Sequence, residues 1–325
     1  MNSKIINWGI IGAGKIASKF ATDLNSVSNT NLYGIASRDV EKAQSFALEF
    51  EANNAYGNYE ALALDPNIDA IYIATPHSFH KAHTLLCLNH KKPLLCEKPF
   101  AMNLEEVNVM IQLSKNNNTL LMEAMWTAFL PHFQYAKDLL NKNHFGNIIK
   151  LEADFGFFPK YDENSRVFDK SIGGGSLLDI GIYPVFAALS ILGKPNSVEA
   201  NADFFPSGAD SECNIVFHYD TAEAILKSTL LEETKTEAVF YCENGIIKIN
   251  SRFHEPSSVK LIDKFGNSEL KSFDYNTIGY SYEIEHFNQL IRDGKTESDL
   301  MTFERSQQLI HTLDKIRKLI NLVYK

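Results

Sequence analysis

Cysteine is scarce: four in 325 residues, none in a CxxC pair, which leaves no disulfide framework and no cysteine metal cluster to read. Cys87, Cys96, Cys213 and Cys242 sit among apolar neighbours. Reduced core thiols in a cytoplasmic protein are therefore the expectation. Basic blocks are also lacking. With 31 Lys and Arg against 40 Asp and Glu, the net charge is −9, which argues against nucleic acid as a partner. No apolar run reads as reaching the roughly 18–20 residues of a membrane helix. The opening MNSKIINWGIIG lacks the charged region, apolar segment and cleavage site of a signal peptide. No internal repeat or low-complexity linker interrupts the chain. What is present is 45% hydrophobic residues, enough for a sizeable core and more than one domain.

Up to Trp126 the chain alternates. Strands are predicted at Ile5–Ile11, Asn31–Ser37, Asp69–Ala74, Pro93–Cys96 and Thr119–Glu123. Helices are predicted at Lys15–Leu24, Val40–Phe50, Phe79–Asn89 and Leu104–Asn116. Near-continuous apolar strands between helices imply an α/β domain, a doubly wound parallel sheet over 1–125. Beyond it the texture changes. A helix at Pro131–Asn141, a long strand at Ile148–Phe158 and a helix at Ser176–Leu192 precede several strand-like runs between Ser197 and Phe273. Turns such as Glu243-Asn244-Gly245 separate them. This predicts an α+β domain over 126–325 on an open, mainly antiparallel sheet. Helices near Ser281–Arg292 and Phe303–Leu322 close the chain, the last free to pack back on the first domain.

Gly12-Ala13-Gly14-Lys15-Ile16-Ala17 follows the first strand and opens the first helix. This is G-x-G-x-x-A in its strand–turn–helix setting. The first glycine permits the turn, the second lets a pyrophosphate approach the backbone, and the small third residue packs helix on strand. Helix N–H groups, with Lys15 and Ile16 beside them, would face the phosphates. The second strand ends in Ser37-Arg38-Asp39. A hydroxyl and a guanidinium there suit a 2′-phosphate, so NADP is favoured over NAD, while Asp39 is placed to cap the next helix. Another strand ends in Thr75-Pro76-His77, with His80 and His83 following. Three-residue spacing of histidines hints at a metal, but no carboxylate or cysteine completes a set. No metal is expected, and His80 is read as lining the nicotinamide side.

GAGKIA, CEKPF (Cys96–Phe100) and DIGIYP (Asp179–Pro184) together resemble the Gfo/Idh/MocA family of oxidoreductases. EAMWTAFLP, GGGSLLDIGIYP and GYSYEIEHF are most similar to the branch containing dimeric dihydrodiol dehydrogenase and NADP-dependent D-xylose dehydrogenase. The resemblance implies a Rossmann domain followed by an α/β domain, a sugar or diol substrate, and a homodimer through the C-terminal sheet. It also implies a cis bond before Pro99, and Lys98, with Glu97, near the nicotinamide ribose. Tyr183 becomes the acid–base group, and Arg166 reaches the cofactor. Tyrosine with a pKa of about 10 is a poor base, but an ammonium from Lys98 favours the phenolate. On a helix, Asp179 and Tyr183 share a face, Ser176 with them. Trp126 is read as packing beside the nicotinamide. Phe155 and Phe157 alternate on the long strand and are either substrate floor or core. One position departs from that branch: Ala128 stands where an arginine is usual.

The expected activity is hydride transfer between nicotinamide and a sugar or diol hydroxyl, with Tyr183 moving the proton, Lys98 stabilising its ionised form and Asp179 orienting. A non-catalytic NADP-binding regulator is the rival; tight cofactor binding without turnover would mark it. An NAD-dependent glycosidase, releasing cleaved sugar without net cofactor change, ranks lower. Substrate shape would be set by the loops Lys160–Ile172 and Pro206–Asp210, which carry no readable code.

Overall fold

The computed structural model describes residues 4–162 and 165–324. Residues 163 and 164, inside the first of the two shape-setting loops, lie outside the described residues. By contacts the chain divides into two compact units, Met1–Trp126 with Asn276–Gln307, and Thr127–Tyr275 with Gln308–Lys325.

In the first unit, strands β1 (Ile6–Ile11), β2 (Thr30–Ala36), β3 (Asn54–Tyr56), β4 (Ala70–Ile73), β5 (Leu94–Glu97) and β6 (Leu121–Ala124) pair in the order β3-β2-β1-β4-β5-β6. Every pairing is parallel. Helices α1 (Lys15–Leu24), α2 (Val40–Glu49), α3 (Tyr59–Leu64), α4 (His80–Asn89) and α5 (Leu104–Asn117) connect them. The inner strands are buried on both faces, which explains their near-continuous apolar runs: all four residues of β4 and of β6 are buried, Glu123 among them. Three of these helices begin at side-chain caps. Asp39, Asn58 and Asn103 accept backbone N–H groups at the starts of α2, α3 and α5. The pair β3 and α3 was not foreseen. It consists of three half-buried residues and a six-residue helix, too short for either hydrophobic period to show.

Helix α8 (Tyr280–Arg292) belongs to this first unit although chain order sets it after the second sheet. The Trp8 indole N–H donates to the Asn288 side chain at 3.0 Å, buried. The Asp23 carboxylate, on α1, accepts the N–H groups of Ile278, Gly279 and Ser281 at 3.0, 2.9 and 3.2 Å. It caps α8 from more than 250 residues away in sequence.

The second unit carries helices α6 (Pro131–Asn141) and α7 (Ile182–Leu192) and strands β7 (Ile148–Gly156), β8 (Ser197–Phe204), β9 (Asp210–His218), β10 (Glu223–Thr229), β11 (Ala238–Cys242), β12 (Gly245–Ile249), β13 (Val259–Asp263) and β14 (Ser268–Lys271). Their order is β14-β13-β12-β11-β7-β10-β9-β8. The sheet is antiparallel apart from the parallel pair β7–β10. Alternation tells the two faces apart. On β7, Leu151, Ala153 and Phe155 are buried, while Lys150, Glu152 and Asp154 are half-buried. The second set carries polar ties, Lys150 to Glu152 at 2.6 Å and Tyr241 to Glu152 at 2.8 Å. Helix α9 (Phe303–Leu319) ends the chain.

One expectation is corrected. The stretch Lys170–Leu192 is long and apolar enough to cross a membrane by length and composition, an 18-residue window within it having a mean hydropathy of 1.7. Gly173-Gly174-Gly175 interrupts the large apolar side chains of this run, so the sequence does not present it as continuous. In the fold 78% of that window is buried, so its apolarity goes into the core around α7.

Candidate active site

The C-terminal ends of β1, β2, β4 and β5 gather most of the residues expected to touch cofactor. Gly12 has φ +99°, and a Cβ there would stand 2.7 Å from the Ala74 carbonyl oxygen. Its N–H donates to the Ala36 carbonyl at 2.9 Å. The protein itself therefore requires this glycine. Gly14 differs. Its backbone is extended, and a Cβ would meet nothing within 4 Å. It is the N-cap of α1 and offers that helix no side-chain acceptor. The first N–H groups of α1 thus have no cap of the kind that closes α2, α3 and α5. An anion at this turn satisfies them and gains from the helix dipole. Lys15 and Ile16 are exposed beside it, while Ala17, the small third position, is buried. These features fit a dinucleotide pyrophosphate.

At the tip of β2, Ser37 is buried and its hydroxyl accepts the Asp39 N–H at 3.2 Å. The Asp39 carboxylate accepts from Glu41 and Lys42 at 3.0 and 3.1 Å, so it serves α2 as expected. Arg38 is exposed, its guanidinium 5.8 Å from the Phe79 ring centre. A pocket of about 380 Å³ opens here, lined by Arg38, Tyr59, Thr75, Pro76, Phe79 and His83 among others. Tyr59 meets His83 edge-on at 4.6 Å, and Phe79 stacks on His83 at 5.8 Å. Burial, with the His80 and Arg38 charges adding to it, pushes the His83 pKa down to about 4. Its Nδ1 shares a hydrogen bond with the Thr75 hydroxyl at 3.0 Å. Neutral flat rings beside an exposed guanidinium suit a purine and its phosphate. Tyr59 and Phe79 were not singled out from the sequence. Each sits at a helix start with no motif to mark it.

His80 does not line the crevice. It is 0% exposed, and its ring nitrogens lie 2.8 Å from the carbonyl oxygens of Pro99 and Thr75. It lies under the ends of β4 and β5, at the first position of α4, where a 3₁₀ turn over His77–Phe79 leads into the helix. At the end of β5, Glu97 accepts from the Tyr72 hydroxyl and from the Lys98 N–H, the latter at 3.1 Å. Lys98 is half-buried and joined to Pro99 by a cis peptide bond. Behind them Glu123 is buried and accepts the Phe100 N–H at 3.0 Å. Burial lifts its carboxyl pKa to about 7, against the hydrogen bonds that lower it. Trp126 is buried and stacks on Tyr280, ring centres 4.5 Å apart.

The second unit carries DIGIYP. DIGIYP does not form a plain helix: Leu177–Gly181 is a π turn running into α7. A π turn inserts a residue and rotates the faces beyond it. Ser176 accordingly departs from the side expected of it, donating to Asp210 at 2.7 Å. Asp179 and Tyr183 are both buried. Arg166, expected at the cofactor, lays one guanidinium nitrogen on both oxygens of Asp179 at 3.0 and 3.1 Å. Tyr183 has Phe155 at 5.8 Å and His254 at 4.9 Å between ring centres. Phe157 stands 6.3 Å from Phe155, and His254 packs on Phe155 at 4.2 Å. His254 was missed. It lies between β12 and β13 with no motif, yet its backbone carbonyl accepts the Thr127 hydroxyl at 2.7 Å, which fixes it against Tyr183. Asp210 was missed as a structural residue. It is fully buried and accepts the Leu177 N–H at 2.6 Å and the Ser176 hydroxyl.

Residues 6–125 match the model of an oxidoreductase family with an NAD-binding Rossmann fold, and residues 133–248 match a GFO/IDH/MocA C-terminal domain. The chain is 34% identical to trans-1,2-dihydrobenzene-1,2-diol dehydrogenase of Xenopus tropicalis, over 98% of both chains. It is 33% identical to scyllo-inositol 2-dehydrogenase (NADP(+)) of Bacillus subtilis, again over 98% of both. Among solved structures it is similar to a 3-ketoreductase from Actinomadura kijaniata in complex with NADP and TDP-benzene. That likeness has a TM-score of 0.85, 24% identity, and covers 98% of this chain and 99% of the other. It speaks for the fold.

Proposed function

The chain belongs to the Gfo/Idh/MocA family of oxidoreductases, and from that premise we propose that it is an NADP-dependent dehydrogenase of a sugar or vicinal diol. The observation that carries the proposal is the start of α7, where a buried phenol, Tyr183, and a buried carboxylate, Asp179, stand among aromatic walls. Such a site moves a proton at one hydroxyl with water excluded. The two relatives support the substrate class. A trans-dihydrodiol and an inositol both present a ring CH–OH beside a second CH–OH.

NADP⁺, when bound, would supply the hydride acceptor. Tyr183, as the phenolate, takes the hydroxyl proton while the C–H hydride leaves; in the reverse direction it returns that proton. Lys98 stabilises the phenolate and orients the hydroxyl. Asp179, held by Arg166, fixes the second hydroxyl. Phe155 and Phe157 give the ring of the substrate an apolar floor. The Gly12–Gly14 turn takes the pyrophosphate, with Lys15 and Ile16 beside it, and Ser37 and Arg38 take the 2′-phosphate. Thr75 and Pro76 hold the cofactor beyond β4. Glu97 orients Lys98, and Trp126 backs the nicotinamide. A homodimer through the second unit's sheet completes the reading, and light scattering showing a monomer at micromolar concentration would count against it. The four free, buried cysteines support a cytoplasmic location.

The test is absorbance of the reduced cofactor with purified protein, NADP⁺ and NAD⁺ in parallel, over aldoses, inositols and trans-dihydrodiols. Turnover with NADP⁺ on one class is expected. Tight NADP⁺ binding with no turnover on any class would favour the regulator.

A further inference from the structure

His80 faces two carbonyl oxygens at once. Nδ1 is 2.8 Å from that of Pro99 and Nε2 2.8 Å from that of Thr75, with the ring 0% exposed. A carbonyl can only accept. A neutral imidazole has one N–H and one lone pair, so either tautomer sets a lone pair against a carbonyl oxygen at hydrogen-bond distance. His132, in the second unit, shows the alternative. Its Nε2 lies 2.9 Å from the Phe253 carbonyl, but its Nδ1 lies 2.6 Å from the Tyr275 hydroxyl. That hydroxyl can donate, so one ring proton satisfies both bonds.

From this contrast we infer that His80 carries both ring protons at neutral pH and clamps the Thr75 and Pro99 carbonyls together. It is a positioning residue. Thr75 borders the pocket at Arg38, and Pro99 directly follows Lys98, so one buried cation fixes the cofactor edge and the turn that presents the ammonium. The functional consequence rests on the role proposed for Lys98; the protonation does not. The ionisable groups around the clamp are His77, whose ring centre is 5.7 Å away, and His83 on its own helix, with Glu97 and Lys98 on the β5 side. From β6 comes Glu123, which binds the N–H of Phe100, next after Pro99. Two carboxyl groups thus stand on β5 and on its neighbour β6.

The test is a long-range proton–nitrogen correlation spectrum of the full-length protein labelled with ¹⁵N-histidine, followed to pH 8. An unperturbed imidazole, with a pKa of about 6.5, is almost wholly neutral there. The expected result is one imidazole of the ten with two protonated nitrogens at pH 8, absent from His80→Gln. A wild-type spectrum in which every ring has one bare nitrogen at pH 8 overturns the inference without any variant. His80→Phe, which keeps a ring and loses both donors, should lower kcat about 10²-fold through misplacement of the turn, with His80→Gln recovering part of it. Full kcat in a folded His80→Phe overturns the positioning role. Lys98→Met tests the Lys98 reading separately, because the His80 signal is read whatever its activity.

Discussion

Two glycine runs precede two helices in this chain, and they have opposite causes. At Gly12-Ala13-Gly14 the second glycine is not needed by the protein: a side chain there meets nothing within 4 Å, and the helix start has no side-chain cap. At Gly173-Gly174-Gly175 the protein fills the space itself. A Cβ on Gly174 would stand 2.5 Å from the Arg166 carbonyl oxygen, and one on Gly175, at φ +123°, 2.0 Å from an Asp210 carboxylate oxygen. That carboxylate then serves the Leu177 N–H. The first run leaves helix N–H groups for a ligand, and the second hands them to a buried aspartate. Glycine content alone does not separate a cradle from a core. What separates them is where the missing Cβ would have pointed.

The comparison can be broken in several places. The largest effect is expected at Tyr183, on the helix that follows the second run. Tyr183→Phe should lower kcat by ~10²–10⁴ and leave the Kd for NADP⁺ unchanged, read by stopped-flow and by fluorescence titration. Turnover near wild type would remove Tyr183 from the chemistry. Next comes Gly175→Ala, which should cost about 3 kcal/mol of stability in urea melts, since both conformation and space oppose it. A variant as stable as wild type would mean the second run is not a packing device. Arg38→Ala should weaken NADP⁺ binding roughly 10–100-fold, the worth of a charged hydrogen bond or two, and leave NAD⁺ binding little changed. Equal losses for both cofactors would detach Arg38 from the 2′-phosphate.

Gly14→Ala is the sharpest contrast with Gly175→Ala. It should raise the NADP⁺ Kd about tenfold, or ~1.4 kcal/mol, while stability stays within about 0.5 kcal/mol. Unfolding without loss of affinity would reverse the assignment of the two runs. The smallest effect is a pH slope. Burial holds the Asp210 carboxyl above its usual range, against the bonds from Ser176 and Leu177 that lower it. In the unfolded chain it loses its proton near pH 4, earlier than in the folded one. Native stability contributed by this group is therefore full below that pH and falls as pH rises toward the folded value. Asp210→Asn removes the slope, so wild type should lose ground to the amide as pH climbs through that window. A difference constant with pH would show that Asp210 ionises as freely folded as unfolded.

The parallel sheet of the first unit was legible because both faces of its inner strands are buried and few polar residues interrupt them. The antiparallel strands were legible from alternation and turns. What escaped was what carries no period. The strand Asn54–Tyr56 and helix Tyr59–Leu64 are too short, and the π turn at Leu177–Gly181 is a one-residue phase shift inside an apolar run. The first glycine turn and the Arg38 tip could be read because their chemistry is written in adjacent residues. His254 beside Tyr183 and Asp210 under Gly175 could not, because each acts across a gap in sequence. His80 was read for the right neighbourhood and the wrong depth. Spacing placed it beyond β4, and only the 3₁₀ turn decides that the ring points beneath the strand ends.

Asparagine 288 sets a schedule. The indole of Trp8, in β1, finds its partner 280 residues later, and Asp23 waits for Ile278, Gly279 and Ser281. The parallel sheet can form early, but the Trp8 indole and the Asp23 carboxylate stay without these partners until α8 has been made. A transcript cut short anywhere before that point yields a nucleotide-binding half with an open seam, suited to capture by chaperones and proteases rather than to independent life.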